Sequence, residues 1–210
     1  MKNSEFKLPP FFIKTIILCA IVGLTIFFYW NIQDHQFLNF DDDVYVSSNP
    51  YVNNGFSLGN IKWTFTFTGI SYWHPLTLLS HMLDCQLFGV KPGPHLLVNL
   101  SIHIFNALLL FLIISRMTGA QVKAAFIALL FALHPLNVES VAWLVERKTV
   151  LSTLFLFGAI YRKKDKVAVC FNIVPLCMRL NEQTRYPYFS DPSFITGLLA
   201  TEKIRKSGCN

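Results

Sequence analysis

Residues 11–30 form an apolar run of twenty in which Lys14 is the only charged residue. A helix of this length measures about 30 Å, which is enough to cross the hydrocarbon core of a bilayer. A secretory signal peptide is the alternative interpretation. Its apolar region would be shorter and small residues would follow it, whereas Tyr29, Trp30 and Asn31 stand here. The run therefore predicts an uncleaved membrane span that ends in interfacial aromatic residues.

Three further apolar stretches predict an all-α membrane protein with about four spans, near 11–30, 96–115, 120–135 and 145–161. The composition agrees, because 53% of the residues are hydrophobic and 14% are charged, against about 25% charged in soluble domains. The second stretch contains Asn99, His103 and Asn106. Their spacing places them on one helical stripe, which should face protein or water rather than lipid.

The distribution of basic residues orients these spans. Lys and Arg precede the first span, flank the turn after the second and follow the fourth at residues 162–166. The positive-inside rule then places the N-terminus in the cytoplasm and the loop 31–95 outside, in the periplasm or extracellular space. The turn 134–148 lies on the same outer side, although Arg147 and Lys148 depart from the rule. We see no basic stripe with interleaved aromatic residues, so no nucleic-acid partner is expected.

Polar residues gather on this outer side in two places. The adjacent carboxyl groups of Asp41, Asp42 and Asp43 follow the first span, and they stay charged only if they are solvated or paired with a cation. The later turn carries His134, Glu139, Trp143 and Arg147, and the four-residue spacing of the last three puts them on one face if the turn is helical. Carboxylates can deprotonate a hydroxyl and cations can hold an anionic leaving group. A solvated loop and a structural ion pair of Glu139 with Arg147 are the alternatives.

The outer loop also predicts a helix after His74 and Pro75. Apolar residues recur at spacings of three and four from Leu78 to Phe88, and Gly89 with nearby prolines ends the pattern. The helix either lies at the membrane interface or packs beneath the loop. The five cysteines match no zinc pattern and no disulfide framework.

Several strings resemble one family of membrane proteins when they are taken together. They are Asp41-Asp42-Asp43-Val44-Tyr45-Val46, Tyr72-Trp73-His74-Pro75-Leu76-Thr77, Leu87-Phe88-Gly89, Phe131-Ala132-Leu133-His134-Pro135, Val138-Glu139-Ser140-Val141-Ala142-Trp143 and Glu146-Arg147-Lys148, with His95, Asn99, His103 and Asn106 between them. They resemble bacterial membrane proteins with C-terminal tetratricopeptide repeats, related to the animal transmembrane and tetratricopeptide-repeat O-mannosyltransferases. The match extends to about residue 157.

This resemblance implies a partial GT-C-like glycosyltransferase module in the bacterial inner membrane. It implies a lipid-linked sugar, a polyprenyl-phosphate donor, and a protein or glycan hydroxyl as acceptor. Asp42 is favoured as the catalytic base, with Asp41 and Asp43 as alternatives. His134 and Arg147 would face the donor phosphate, and Glu139 and His74 complete the substrate-binding set. The resemblance leaves open whether a divalent cation takes part, and we assign no metal ligand.

The chain departs from the family after residue 148. Thr149 stands where we expect Asp, and the basic tail 162–210 has nine Lys or Arg, four Asp or Glu and no repeat period. We expect a frameshift or truncation near residue 161, a poorly ordered tail, and a module 1–161 that is inactive without the later spans. The alternatives are a non-enzymatic membrane scaffold that has lost its repeats, and a transporter fragment with a polar path through His103.

Overall fold

A computed structural model describes residues 9–38, 41–67 and 74–162, and all regular structure in these ranges is helical. The predicted tail from residue 163 onward and the pair Tyr72 and Trp73 lie outside the described residues. The α-helices are α1 (Pro10–Phe28), α2 (Pro50–Asn53), α3 (Leu58–Thr66), α4 (Pro75–Phe88), α5 (Pro92–Thr118), α6 (Gln121–Leu133), α7 (Leu136–Ala142) and α8 (Arg147–Arg162). A 3₁₀ helix (Trp30–Asp34) and a π-helix (Asp43–Ser47) lie between α1 and α2.

Two helices, α1 and α5, are long and apolar enough to cross a membrane. The α6–α7 pair adds a third span only if it is counted as one, because it bends by 60° at the break that holds His134 and Pro135. Proline removes a backbone donor and disfavours helix in the residue before it, which explains the bend. Helix α8 has 16 residues, about 24 Å, and is short for a span. The predicted all-α membrane protein is confirmed, and the predicted four spans are not.

The polar stripe of α5 faces protein, as predicted. Asn99, His103 and Asn106 are almost completely buried, and each binds a backbone carbonyl of a neighbouring segment. His103 donates from Nε2 to the carbonyl of Ala132 at 3.0 Å, and Asn106 donates to that of Val150 at 2.9 Å. These bonds attach α5 to α6 and α8, so the stripe holds the helices together.

Helix α6 approaches its neighbours through small side chains. Ala124, Ala128 and Ala132 are fully buried at four-residue spacing, and they pack in one core with Ile21 of α1 and Phe111 of α5. Small residues let helix backbones come close, which is how membrane helices gain packing energy without a hydrophobic driving force between them.

The loop between α1 and α5 covers one end of this bundle. Helix α4 buries one face, with Leu78, Met82 and Cys85, in a second core that also holds Val141 and Leu144. Its opposite face, with Leu76, Leu83 and Leu87, is exposed. The predicted helix from Pro75 to Phe88 is therefore confirmed, and its buried face packs beneath the loop.

Gly93, in the first turn of α5, lies directly against the 3₁₀ helix. A Cβ atom added to Gly93 would lie 2.5 Å from the carbonyl oxygen of Gln33, and that oxygen belongs to backbone that cannot rotate away. We expect Gly93→Ala to lower the free energy of unfolding by about 1–3 kcal/mol. Gly158→Ala, in α8 with no atom within 4 Å of its new Cβ, should instead raise it by about 0.5–1 kcal/mol. Thermal unfolding in detergent checks both; equal midpoints would contradict the contact.

Candidate functional site

The segment from Trp143 to Lys148, here named the connecting turn, joins α7 to α8. Helix α7 ends at Ala142, and Trp143 is extended with φ −105° and ψ 124°. Two short-range bonds close the turn, from Arg147 N–H to the Leu144 carbonyl at 3.1 Å and from Thr149 N–H to the Glu146 carbonyl at 2.8 Å. The break at Trp143 means that Glu139, Trp143 and Arg147 do not share one helical face, contrary to the prediction.

The connecting turn meets the acidic triplet at Asp42. Only 1% of Asp42 is exposed, and its Oδ2 accepts a hydrogen bond from the Leu38 N–H at 2.8 Å. The indole of Trp143 and the backbone of Val145 lie beside this carboxyl group and act to lower its pKa, as does the bond from Leu38. Burial nevertheless raises the pKa of Asp42 above its ordinary value, because the loss of solvation outweighs the effects of these three neighbours, and the nearby Asp41 adds to the rise.

The other two carboxyl groups of the triplet have different surroundings. Asp43 is exposed and accepts the N–H of its own neighbour, Val44, at 2.9 Å. Asp41 is half-buried. Asp42 is thus the member of the triplet that the structure brings against the connecting turn.

An imidazole and a cation lie at the other end of the connecting turn. Lys148 pairs with Glu146 Oε1 at 3.0 Å, while Thr149 donates to Glu146 Oε2 at 2.7 Å. His74, which immediately precedes α4, lies close enough to Lys148 and Glu146 for both charges to change its pKa. Burial, followed by the positive charge of Lys148, lowers the pKa of His74, and Glu146 acts in the opposite direction. Lys148 is thus the basic residue that pairs with Glu146.

Arg147, which lies between Glu146 and Lys148 in the sequence, is completely buried. Its Nε donates to Asn99 Oδ1 at 2.6 Å, its Nη2 to the His95 carbonyl at 2.6 Å, and its Nη1 to Asp84 and, at 3.3 Å, to Ser80 Oγ. All three nitrogens are used inside the protein. The geometry therefore gives no support to the expected contact of Arg147 with a donor phosphate, and its ion-pair partner is Asp84 rather than Glu139.

Three potential metal ligands surround this guanidinium. His81 Nδ1 and His95 Nδ1 are 3.1 Å apart, and His95 Nδ1 lies 3.4 Å from Asp84 Oδ2. His81, Asp84 and His95 thus have the donor atoms and the proximity of a metal site. Their charges do not fit one, however. Asp84 is already neutralised by Arg147, so a divalent cation would add two buried charges with no further anion to balance them.

The buried histidine of α4 predicts a pH-dependent stability. Burial, then the charges of Arg147 and His95, hold the pKa of His81 well below 6.5. The unfolded chain therefore binds a proton near pH 6.5 that the folded chain does not, and stability falls as the pH drops below 6.5. The slope per histidine is about 1.4 kcal/mol per pH unit. We expect thermal midpoints in detergent to fall from pH 7.5 to 5.5, and to fall less in His81→Gln; an identical pH dependence in the variant would contradict this.

The remaining predicted site residues stay apart from the triplet. His134 is exposed, and its Nδ1 accepts the Leu136 N–H at 3.2 Å, at the start of α7. Glu139 is exposed on α7. Among the described residues neither side chain bonds to Asp41, Asp42 or Asp43.

Sequence reasoning missed the residues that bind Arg147. Asp84 and His81 are three residues apart on α4 and share its buried face. The prediction of this helix used only the spacing of its apolar residues. An acidic residue on the core side of an amphipathic helix was the available signal, because a buried carboxylate requires a cationic partner.

The helices and this polar site define a helical membrane protein with a buried carboxyl group, Asp42, in the loop between α1 and α5. It is similar over part of its length to proteins named protein O-mannosyl-transferase. The human TMTC3 is 29% identical over 149 residues, covering 68% of this chain and 16% of that protein. The human TMTC1 is 32% identical over 123 residues, 54% of this chain and 14% of that protein. The Drosophila melanogaster Tmtc1 is 34% identical over 80 residues, 38% of this chain and 9% of that protein.

The chain thus spans about a sixth of the length of the human TMTC3. No protein-family model matches it, and no solved structure matches it. The resemblance noted from the motifs is therefore supported as a distant and partial similarity to proteins named protein O-mannosyl-transferase.

Proposed function

We propose that this chain supplies the acidic site of a membrane glycosyltransferase and carries out the transfer itself, in place of the inactive module expected from the sequence. The reaction is transfer of a sugar from a polyprenyl-phosphate donor to a hydroxyl group of a protein or glycan, on the outer face of the bacterial inner membrane. The observation that carries the proposal is the buried carboxyl group of Asp42 held against Trp143 and Val145 of the connecting turn. The similarity to proteins named protein O-mannosyl-transferase supports the reaction class.

Asp42 is the proposed general base. A base works best when its pKa lies near the working pH, and burial moves the pKa of Asp42 upward from that of an exposed carboxyl group. In the proposed step the acceptor hydroxyl passes its proton to Asp42 while its oxygen bonds to the anomeric carbon of the sugar. The bond from that carbon to the donor phosphate breaks, and the polyprenyl phosphate leaves with the electron pair.

The leaving phosphate needs a cation, and Lys148 with His74 fills this role better than Arg147. Both lie at the connecting turn that also contacts Asp42, whereas Arg147 is buried and paired. A phosphate would compete with Glu146 for Lys148. Thr149 stays bonded to Glu146 in that event, so the carboxylate keeps a partner while the lysine turns to the donor.

The lipid donor fits the position of this site in the chain. The triplet follows the span α1 by about a dozen residues, and the connecting turn follows the bent α6–α7 pair. A polyprenyl tail in the bilayer would bring its phosphate to the level of the helix ends, where these residues are proposed to lie.

Membrane vesicles from cells that express the full chain test the proposal. They would receive radiolabelled polyprenyl-phosphate mannose or, as a control, a nucleotide mannose with polyprenyl-phosphate synthesis blocked. Label that enters protein or glycan from the lipid-linked donor only supports the proposal. A photoreactive polyprenyl-phosphate sugar should also crosslink to the chain. If the label is not transferred and the photoreactive donor does not crosslink, the proposal is overturned. The non-enzymatic membrane scaffold then becomes the favoured alternative.

A further inference from the structure

The contacts that the connecting turn makes with Asp42 come from residues outside any helix. Trp143 follows the last residue of α7 and is extended, and Val145 lies two residues before the start of α8. An irregular segment of this kind keeps its geometry only if its backbone groups are bonded to a rigid part of the protein. Two buried side chains, Asn99 and Arg147, supply those bonds.

Asn99 binds both ends of the bend in the backbone. Its Nδ2 donates to the Val141 carbonyl at 3.4 Å and to the Trp143 carbonyl at 3.3 Å. The residue is completely buried and belongs to α5, a helix of 27 residues. The backbone of Trp143, whose indole lies beside Asp42, is therefore attached to the longest helix of the described chain.

The hydrogen bond from Arg147 fixes the orientation of the Asn99 side-chain amide. An asparagine side chain has an acceptor end and a donor end, and only the donor end can bind carbonyls. Arg147 Nε donates to Asn99 Oδ1 at 2.6 Å, which leaves the amide nitrogen facing Val141 and Trp143. Asp84, Ser80 and the His95 carbonyl hold the guanidinium itself, and its planar fork matches these fixed acceptors.

We infer that Asn99 and Arg147 are positioning residues that hold the Trp143 indole against the carboxyl group of Asp42. This inference rests on the proposed function, because positioning the indole matters only if Asp42 takes part in sugar transfer. Neither residue bonds to Asp42 itself, so neither is a catalytic residue. The inference gives Arg147 a task different from binding a donor phosphate. It also predicts a physical coupling between Trp143 and Asp42 that is measurable without any sugar transfer.

Fluorine NMR of the full chain in detergent, labelled with 5-fluorotryptophan, measures this coupling. The chain has four tryptophans, and Trp143→Phe identifies the Trp143 signal by its loss. That signal should move as the pH passes through the titration of Asp42, and Asp42→Asn should abolish the movement. The charged groups nearby are Asp41 and Asp43 on the same segment, Glu146 and Lys148 on the connecting turn, and His74 on α4; every variant keeps them.

Asn99→Ala should remove most of the pH-dependent movement of the Trp143 signal, because the indole is no longer held at the carboxyl group. Arg147→Lys keeps the charge beside Asp84 but loses the bond to Asn99, and should act in the same direction. Ser80→Ala is the matched control, since it removes the longest of the Arg147 bonds and touches neither Asn99 nor Trp143. It should leave the movement intact.

Three results would overturn the inference. The first is a Trp143 signal that moves with pH equally in the wild type and in Asp42→Asn. The second is a folded Asn99→Ala protein with the full movement, and the third is the full movement in Arg147→Lys, which is the deciding variant if Asn99→Ala does not fold. A loss of stability alone changes the amount of folded protein and not the movement of its signal. Failure of sugar transfer would leave these measurements unaffected, so the two proposals fail separately.

Discussion

Asp42→Asn is expected to reduce sugar transfer by about 10²–10⁴-fold, the usual contribution of a positioned general base. The amide has nearly the shape of the carboxyl group but cannot take the proton of the acceptor hydroxyl. Transfer by the wild type should also be lost as the pH falls through the pKa of Asp42, since only the carboxylate accepts a proton. Burial raises that pKa, so the loss should begin at a higher pH than for an exposed aspartate.

Asp43→Asn is the matched control, because Asp43 is exposed and its side chain bonds to the backbone of the adjacent Val44. It should keep most of the activity. Initial rates with radiolabelled donor, normalised to the amount of folded protein, decide between the two. Loss in Asp43→Asn with normal transfer in Asp42→Asn would move the base to the neighbouring residue. Unchanged transfer in Asp41→Asn, Asp42→Asn and Asp43→Asn alike would remove the triplet from the reaction.

Arg147→Met is expected to lower the free energy of unfolding by about 3–5 kcal/mol, the cost of leaving one member of a buried ion pair without its partner. Asp84 is 3% exposed and depends on this cation. The carbonyl of His95 and the amide oxygen of Asn99 lose their donors at the same time. Denaturant titration in mixed micelles, followed by circular dichroism, measures the change.

The double variant Asp84→Leu with Arg147→Met should recover a large part of that loss. Replacing both members of a buried pair by apolar residues of similar volume is often neutral or stabilising. Lys62→Ala, an exposed residue of α3, should change the free energy of unfolding by no more than about 0.5 kcal/mol. A double variant that is no more stable than Arg147→Met would show that the guanidinium contributes through its other bonds and not through Asp84.

Local patterns in the sequence predicted the helices well. The apolar run before Trp30 became α1, the stripe of Asn99, His103 and Asn106 became the buried side of α5, and Gly89 ended α4. Each depends on residues a few positions apart, where periodicity and the backbone preferences of glycine and proline are reliable guides.

Contacts between distant residues were not predictable in the same way. The partner of Arg147 is Asp84, 63 positions earlier, and the adjacent Glu146 and nearby Glu139 were more obvious candidates. Among the described residues the fourth predicted span is not confirmed, for a related reason. The prediction used apolar content alone and therefore included Val145 in the span near 145–161. In the structure, the bonds of Asn99 to Val141 and Trp143 hold the region before α8 in a bend. Such bonds depend on the packing of α5 and leave no local pattern.

The order Glu146, Arg147, Lys148 puts a completely buried residue between two that are partly exposed. Loops usually tolerate insertions and deletions, but a single added or lost residue here would exchange these environments. It would place a lysine or a glutamate opposite Asn99 and Asp84, and a lysine lacks the planar fork that these acceptors require. The length of this connection is therefore as constrained as the identity of its residues, and natural variants of the protein should differ here by substitution and not by length.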